Sequence, residues 1–207
     1  MKVVLYGASG NAGSRILSEL QSRGHDVTAA VRNPEKLPAE TKSVRDDLSD
    51  TGRIAEIITG ADAVVSAYMP PPEDTDQLVA VSGRLVDAVR KVGNPRLLVV
   101  GGAASLEVAP GVTVLSSGHL PAPWVPIATS HAKALDLLKS SDVRWTYFSP
   151  AGFFEPGKRT GKFRLGKNRL ITDDKGESRI SFEDYAVALV DELEHPAHIQ
   201  ERFTIGY

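Results

Sequence analysis

The sequence predicts an α/β fold built on a doubly wound parallel sheet, and three observations predict it. Short β-branched and aliphatic runs alternate with helical patterns through the first two thirds of the chain, the signature of βαβ units. A glycine-rich turn, Gly7-Ala8-Ser9-Gly10-Asn11-Ala12-Gly13, stands between the first such run and the first helical pattern. Of 207 residues, 42% are hydrophobic and 24% charged, which supplies the apolar side chains that a two-sided core needs.

Taken in order, the predicted strands are 2–6 (KVVLY), 26–31 (DVTAAV), 42–44, 62–67 (DAVVSA), 96–100 (RLLVV) and 143–148 (VRWTYF). Ile16, Leu17 and Leu20 share one face of the first helix, and Gly24 supplies its stop. Segments 51–59, 75–92 and 129–140 read as helices in the same way. Pro110, Pro121, Pro123 and Pro126 make 104–128 a loop or short-element excursion over one end of the sheet. A second excursion, 152–180, carries two β-rich runs, 162–165 (KFRL) and 169–172 (RLIT), joined by Gly166-Lys167-Asn168, and this predicts a hairpin. A helix near 182–194, with Asp184 and Tyr185 in its first turn, and a strand near 202–206 follow. The expected strand order is 3-2-1-4-5-6 with room for a seventh. No repeat or shift of composition marks a second domain, so 1–207 reads as one domain with a small C-terminal lobe on the substrate side.

A formal net charge of −2, with both signs interspersed, gives no field to gather nucleic acid or an anionic membrane. The chain has no cysteine, which excludes disulfides, thiolate metal ligands and a cysteine nucleophile. His25, His119, His131, His195 and His198 show no ligand spacing, so no metal site is expected. The apolar run after Met1 is too short for a signal segment and no stretch approaches the roughly 18 apolar residues of a membrane span, so a cytoplasmic location is expected.

A glycine turn that follows a strand and opens a helix is the context for binding a dinucleotide. Glycine lets the backbone approach the pyrophosphate, and the helix start offers free N–H groups and a positive dipole end. An acid at the end of the second strand would bond a ribose 2′-hydroxyl and repel a 2′-phosphate. No acid stands there: Val31 is followed by Arg32, Asn33 and, after Pro34, by Lys36, which points to NADP. Asp47 and Leu48, after the third strand, offer a polar group and an apolar cover for adenine, although Asp47 also fits an ordinary helix-start acid.

With these residues in place the chain resembles the atypical short-chain dehydrogenases with a Rossmann-type sheet, specifically the NAD(P)H-binding group of NADH-flavin reductases, similar to biliverdin reductase B and NmrA-like proteins. The resemblance runs over nearly the whole length, through GASGNAG at 7–13, VRNPEK at 31–36, DDLSD at 46–50, GADAVVSAY at 60–68, LLVVGGAASLEVAPG at 97–111, RWTYFSPAGFFEPGKRTGKFRLG at 144–166 and ISFEDYAVALVDELEHP at 180–196. It implies that Gly7, Ser9, Gly10, Asn11 and Ala12 meet the pyrophosphate, Arg32 the 2′-phosphate, Asp47 and Leu48 the adenine, and Ala67 with Tyr68 the adjacent ribose region. It also implies that Gly101, Gly102 and Ala103 line the nicotinamide pocket, with Pro150, Ala151 and Lys133 beside the cofactor. For Asp184 and Tyr185 it implies structural support.

The chain departs from the wider superfamily in having no Tyr-x-x-x-Lys pair: the residue four before Lys133 is Thr129, and Ala103 or Ala104 holds the serine position, with Ser105 displaced. That disfavours a tyrosine-dependent carbonyl reductase or epimerase, in which the developing alkoxide needs an activated proton donor. A flavin-like or quinone-like acceptor takes hydride without one, and its pocket would draw walls from Tyr68, Trp124, Phe153 and Phe154. His131 and Lys133 are the candidate catalytic residues; position alone favours a solvated helix-face histidine at 131. The function expected is NADPH-dependent hydride transfer to such an acceptor. Two other readings fit the same residues: a non-catalytic NmrA-like NADP sensor, and a pathway-specific reductase or isomerase.

Overall fold

Val3, Leu5, Ala29, Val31, Ala63 and Val65 turn to one side of a central sheet and Val4, Tyr6, Ala30 and Val64 to the other, all buried. Strands covered on both faces read as unbroken apolar runs, which explains why these segments lack alternation. The computed structural model describes residues 1–207. In chain order its elements are β1 (Lys2–Tyr6), α1 (Asn11–Ser22), β2 (Asp26–Val31), β3 (Ser43–Arg45), α2 (Thr51–Ile58), β4 (Ala63–Ser66), α3 (Gln77–Lys91) and β5 (Arg96–Val100). Then come β6 (Glu107–Ala109), β7 (Val112–Thr113), α4 (Val125–Lys139), β8 (Trp145–Ser149), β9 (Phe153–Glu155), β10 (Arg164–Gly166), β11 (Arg179–Ser181), α5 (Phe182–Glu194) and β12 (Glu201–Gly206).

The main sheet has eight strands in the order β10-β12-β8-β5-β4-β1-β2-β3, parallel except for β10. Helices α1 and α5 cover one face through Ile16, Leu20, Tyr185 and Leu189, and α2, α3 and α4 cover the other through Ile54, Leu85, Val89 and Leu135. This is the doubly wound arrangement, with the expected order running outward from β1 on both sides and β12 filling the seventh place. Its consequence for function is positional. Gly7, Arg32, Ala67, Gly101 and Pro150 each follow the carboxyl end of a parallel strand, the edge where open α/β sheets bind ligands.

Two expectations are corrected. Runs 162–165 and 169–172 do not form a hairpin: Arg164–Gly166 pairs antiparallel with β12, Arg164 opposite Gly206, while the second run bonds to Glu107 (Leu170 N–H to the Glu107 carbonyl, 2.9 Å). Neither Gly166 nor Asn168 adopts the positive φ that a tight two-residue turn requires, and Ile171 packs over Gly206 instead. Helix α4 starts at Val125, earlier than residue 129, because Pro126 falls in the first turn, where its missing N–H has no helical partner to lose. Beside α5, residues Thr160 and Gly161 are tied to the fully buried Asp184, whose carboxylate accepts from Thr160 N–H (2.7 Å), Thr160 Oγ1 (2.6 Å), Gly161 N–H (2.8 Å) and the Tyr207 hydroxyl (2.8 Å).

Candidate active site

The three glycines of the first turn serve different ends. Gly7 has φ +78°, and a Cβ there would stand 2.3 Å from the Ala67 carbonyl oxygen; a Cβ on Gly13 would stand 2.0 Å from the Gly7 carbonyl oxygen. Both are required by the close packing of the turn on β4 and α1. Gly10 has φ −81° and meets no atom nearer than the Gly7 carbonyl oxygen at 3.3 Å, so its bare side is exposed. The N–H groups of Asn11, Ala12 and Gly13 have no acceptor in the protein, no side chain caps α1, and its first turn holds no acid. Four exposed or half-buried residues, Ser9, Gly10, Asn11 and Ala12, thus surround a positive helix end suited to a pyrophosphate.

At the end of β2 the Arg32 side chain is exposed and makes neither an ion pair nor a hydrogen bond, whereas most arginines of the chain are engaged. Burial pushes the Tyr68 hydroxyl up, and the Arg32 charge opposes that shift. Asp47 is exposed; the Ser49 hydroxyl, and then the Ser49 N–H at 2.9 Å, hold its carboxyl below the usual range. The expected apolar cover from Leu48 is not free, since its side chain is only 4% exposed and, with φ at +64°, packs in the core. The Leu48 carbonyl accepts from Arg84 Nη1 at 3.2 Å. Arg84 escapes a reading of the sequence; an arginine between the buried Val81 and Leu85 on α3 is the one signal of it. Uncapped amides, a glycine with an open side and an unpaired guanidinium together fit NADP(H).

At the end of β5, Gly101 and Gly102 exist because two side chains press against them. A Cβ on Gly101 would lie 2.3 Å from the Tyr147 ring, and one on Gly102 would lie 2.9 Å from the His131 ring. The Gly102 N–H donates to the Tyr147 hydroxyl at 3.0 Å, and that hydroxyl is 3.1 Å from the His131 carbonyl oxygen and 3.2 Å from His131 Nδ1. His131 is therefore not a solvated helix-face residue: it is 8% exposed, and burial pulls its pKa down to about 4. Lys133 is not brought to it. Two residues along an α-helix rotate about 200°, and Lys133 faces α3, with its Nζ 3.3 Å from Asp76. Ala103 is half-buried, and Pro150 and Ala151 are buried, Ala151 within the core. The displaced Ser105 accepts from Arg202 Nη1 at 3.1 Å.

Of the expected pocket walls, Trp124 (63%) and Phe153 (57%) are exposed, and Tyr68 is half-buried, donating to Gln77 Oε1 at 3.2 Å. Phe154 instead packs on Phe182 and Tyr185, with ring centroids 4.5 and 4.6 Å away, so its ring belongs to the interior. A cleft of about 520 Å³ lies in the 104–128 excursion, lined mainly by Val108, Val112, Val114, Leu120 and Leu170, none of them a residue of the glycine turn. No helix is long and apolar enough to cross a membrane.

A parallel doubly wound sheet with this glycine turn at the carboxyl end of β1 defines a Rossmann-type NAD(P)-binding protein. More particularly, the chain belongs to the NAD(P)H-binding family, whose model matches residues 7–196. It is 41% identical to YwnB of Bacillus subtilis over 210 residues, covering 99% of this chain and 98% of the relative. Among solved structures it is similar to a Burkholderia pseudomallei protein described as a putative exported protein, with 45% identity, a TM-score of 0.92 and 100% of each chain covered. It is also similar to a putative NADH-flavin reductase of Streptococcus pneumoniae, with 36% identity, a TM-score of 0.91 and 100% and 99% of the two chains covered.

Proposed function

We propose that this protein is an NADPH-dependent reductase whose acceptor is a planar conjugated molecule, flavin-like or quinone-like, that needs no acid from the enzyme. The observation that carries the reading is the chemistry beside Gly102: the place of an activated proton donor is taken by a buried, neutral His131, and the nearest hydroxyl, Tyr147, is enclosed and engaged with the backbone. The name of the Streptococcus pneumoniae relative points the same way.

Bound NADPH would supply a hydride to the acceptor. The chain's own part is to hold and to screen. Asn11, Ala12 and Gly13 amides bind the pyrophosphate, and Arg32 pairs with the 2′-phosphate, which selects NADPH over NADH. Gly101 and Gly102 let the end of β5 pack against Tyr147 and His131 beside the nicotinamide, while Tyr68, Trp124 and Phe153 offer apolar walls that would stack the acceptor and exclude water, so that rate comes from positioning. Steady-state NADPH oxidation with FMN, riboflavin and a naphthoquinone tests the proposal. Turnover with at least one supports it; NADPH binding without turnover would favour the sensor.

A further inference from the structure

We infer that Arg202 is a positioning residue for the acceptor: from β12 its guanidinium forks to Ser105 Oγ and Asn168 Oδ1 and pins both excursions, 104–128 and 152–180, at one place over the sheet. The pinning stands on the protein alone. Its effect on the acceptor rests on the reductase reading above, in which the excursions carry the walls Trp124 and Phe153.

Residues 202, 204 and 206 share one face of β12, because Phe203 and Ile205 turn to the α1–α5 side. The second excursion covers that face: Ile171 packs over Gly206, and Asn168 Oδ1 accepts from Arg202 Nε at 2.9 Å. The first excursion reaches the same guanidinium through Ser105, which accepts from Nη1 at 3.1 Å. The two excursions are also joined to each other, Glu107 N–H donating to the Asn168 carbonyl at 2.8 Å and Leu170 N–H to the Glu107 carbonyl at 2.9 Å. They are therefore one unit, and Arg202 ties both halves of it to the sheet.

The tie is a fork and not an ion pair. Arg202 is half-buried, burial pulls its pKa down, and its two bonded partners are neutral oxygens. A guanidinium only donates, so Asn168 must turn its oxygen, not its amide N–H₂, toward it. Shape explains the choice of residue: planar donors hold two oxygens at a set separation, which a lysine ammonium on a flexible stem does not. The excursions leave the carboxyl ends of two parallel strands, one after Ala103 beside β5 and the other after Ala151 beside β8. That edge is where a ligand enters an open α/β sheet. A shift of the joined unit therefore moves the acceptor's walls and leaves the glycine turn in place.

Hydrogen–deuterium exchange of the ligand-free protein decides the pinning. In Arg202→Met, residues 104–114 and 166–172 are expected to lose protection together while β1, β4 and β5 keep theirs; unchanged protection, or loss in one excursion alone, would overturn the inference whether or not NADPH is oxidised. Asn168 is exposed, so its variants carry the test should Arg202→Met fail to fold. Asn168→Leu removes one arm of the fork and is expected to loosen the same two segments, whereas Asn168→Asp returns an oxygen to Arg202 Nε and is expected to keep wild-type protection or better. Asp behaving like Leu at that position would contradict the fork. In turnover, with whichever acceptor the wild type reduces, Arg202→Met is expected to lower the acceptor's kcat/KM roughly tenfold and to leave NADPH affinity within about twofold, and Asn168→Asp to hold the wild-type value. An unchanged kcat/KM, or an equal loss of NADPH affinity, would contradict the positioning role, and failure of the reductase reading shows separately as no NADPH oxidation in wild type.

Discussion

A Cβ on Gly7 would stand 2.3 Å from the Ala67 carbonyl oxygen, so the end of β1 and the end of β4 can lie side by side only because residue 7 has no side chain. Gly10, three residues on, is far less constrained: its Cβ would meet only the Gly7 carbonyl oxygen at 3.3 Å, which asks a shift of a few tenths of an ångström. Gly7→Ala is therefore expected to lose at least about 2 kcal/mol of stability, from a left-handed φ and a backbone clash. Gly10→Val is expected to keep most of its stability and lose NADPH binding. Thermal melting and NADPH titration of both variants check this, and a folded Gly10→Val with wild-type affinity would sink the cofactor site.

Arg32 is expected to set cofactor preference, because its guanidinium is exposed and unpaired at the end of β2. A charge-assisted contact with the 2′-phosphate is worth on the order of 1.5–3 kcal/mol, or roughly tenfold to a hundredfold in affinity. Arg32→Ala should lose that factor for NADPH and change little for NADH. Equal affinities of the wild type for the two cofactors would refute the assignment.

His131 yields a pH prediction with a definite sign. Its pKa falls from the ordinary 6.5 to about 4 on burial, so between those values the unfolded chain binds a proton that the folded chain refuses. The stability involved is present above pH 6.5 and is lost as pH falls toward 4, up to about 3 kcal/mol. Denaturant unfolding of His131→Phe should show a shallower decline than wild type over that window; parallel curves would mean the histidine is not buried neutral. The same neutrality predicts no falling limb of kcat/KM near pH 6.5, and a loss of only a few fold in His131→Phe, against the roughly 10²–10⁴-fold that removal of a general acid costs.

Asp184 holds Thr160 and Gly161 against α5 through three accepted hydrogen bonds, among them Thr160 Oγ1 at 2.6 Å, and accepts a fourth from the Tyr207 hydroxyl. Asn at that position keeps the shape but turns an amide N–H₂ toward donors. Asp184→Asn is expected to cost about 3 kcal/mol, a fall in Tm of roughly 6–12 °C for a chain of this size. Differential scanning calorimetry measures it, and limited proteolysis should show new cutting around residues 156–162. A change below about 1 kcal/mol would show that the carboxylate does not anchor this segment.

The main sheet was legible in the sequence because strands buried on both faces leave continuous apolar runs, and because glycine and proline punctuate them. What escaped had a non-local cause. Residues 162–172 contain a hairpin pattern, but β12 and Glu107 offer better edges, and no local rule announces an edge strand forty residues away. The glycine turn was visible as a motif, yet its division of labour, Gly7 and Gly13 for packing and Gly10 for an approaching ligand, depends on distances to Ala67 and Gly7. His131 and Lys133 were both catalytic candidates, and helix geometry turns them to different sides of α4. Tyr147 was hidden inside an apolar strand, where a tyrosine reads as core; only the fold brings its hydroxyl to Gly102 and His131.

The central claim is NADPH-dependent reduction at the carboxyl edge of this sheet, and the most direct measurement is NADPH oxidation, followed by nicotinamide absorbance, with FMN, riboflavin and a naphthoquinone as acceptors, comparing wild type with Gly10→Val. The account predicts acceptor-dependent oxidation by the wild type, faster with NADPH than with NADH, and its loss in the folded variant. NADPH bound at the glycine turn but oxidised with none of these acceptors, or oxidation that survives Gly10→Val, would contradict it.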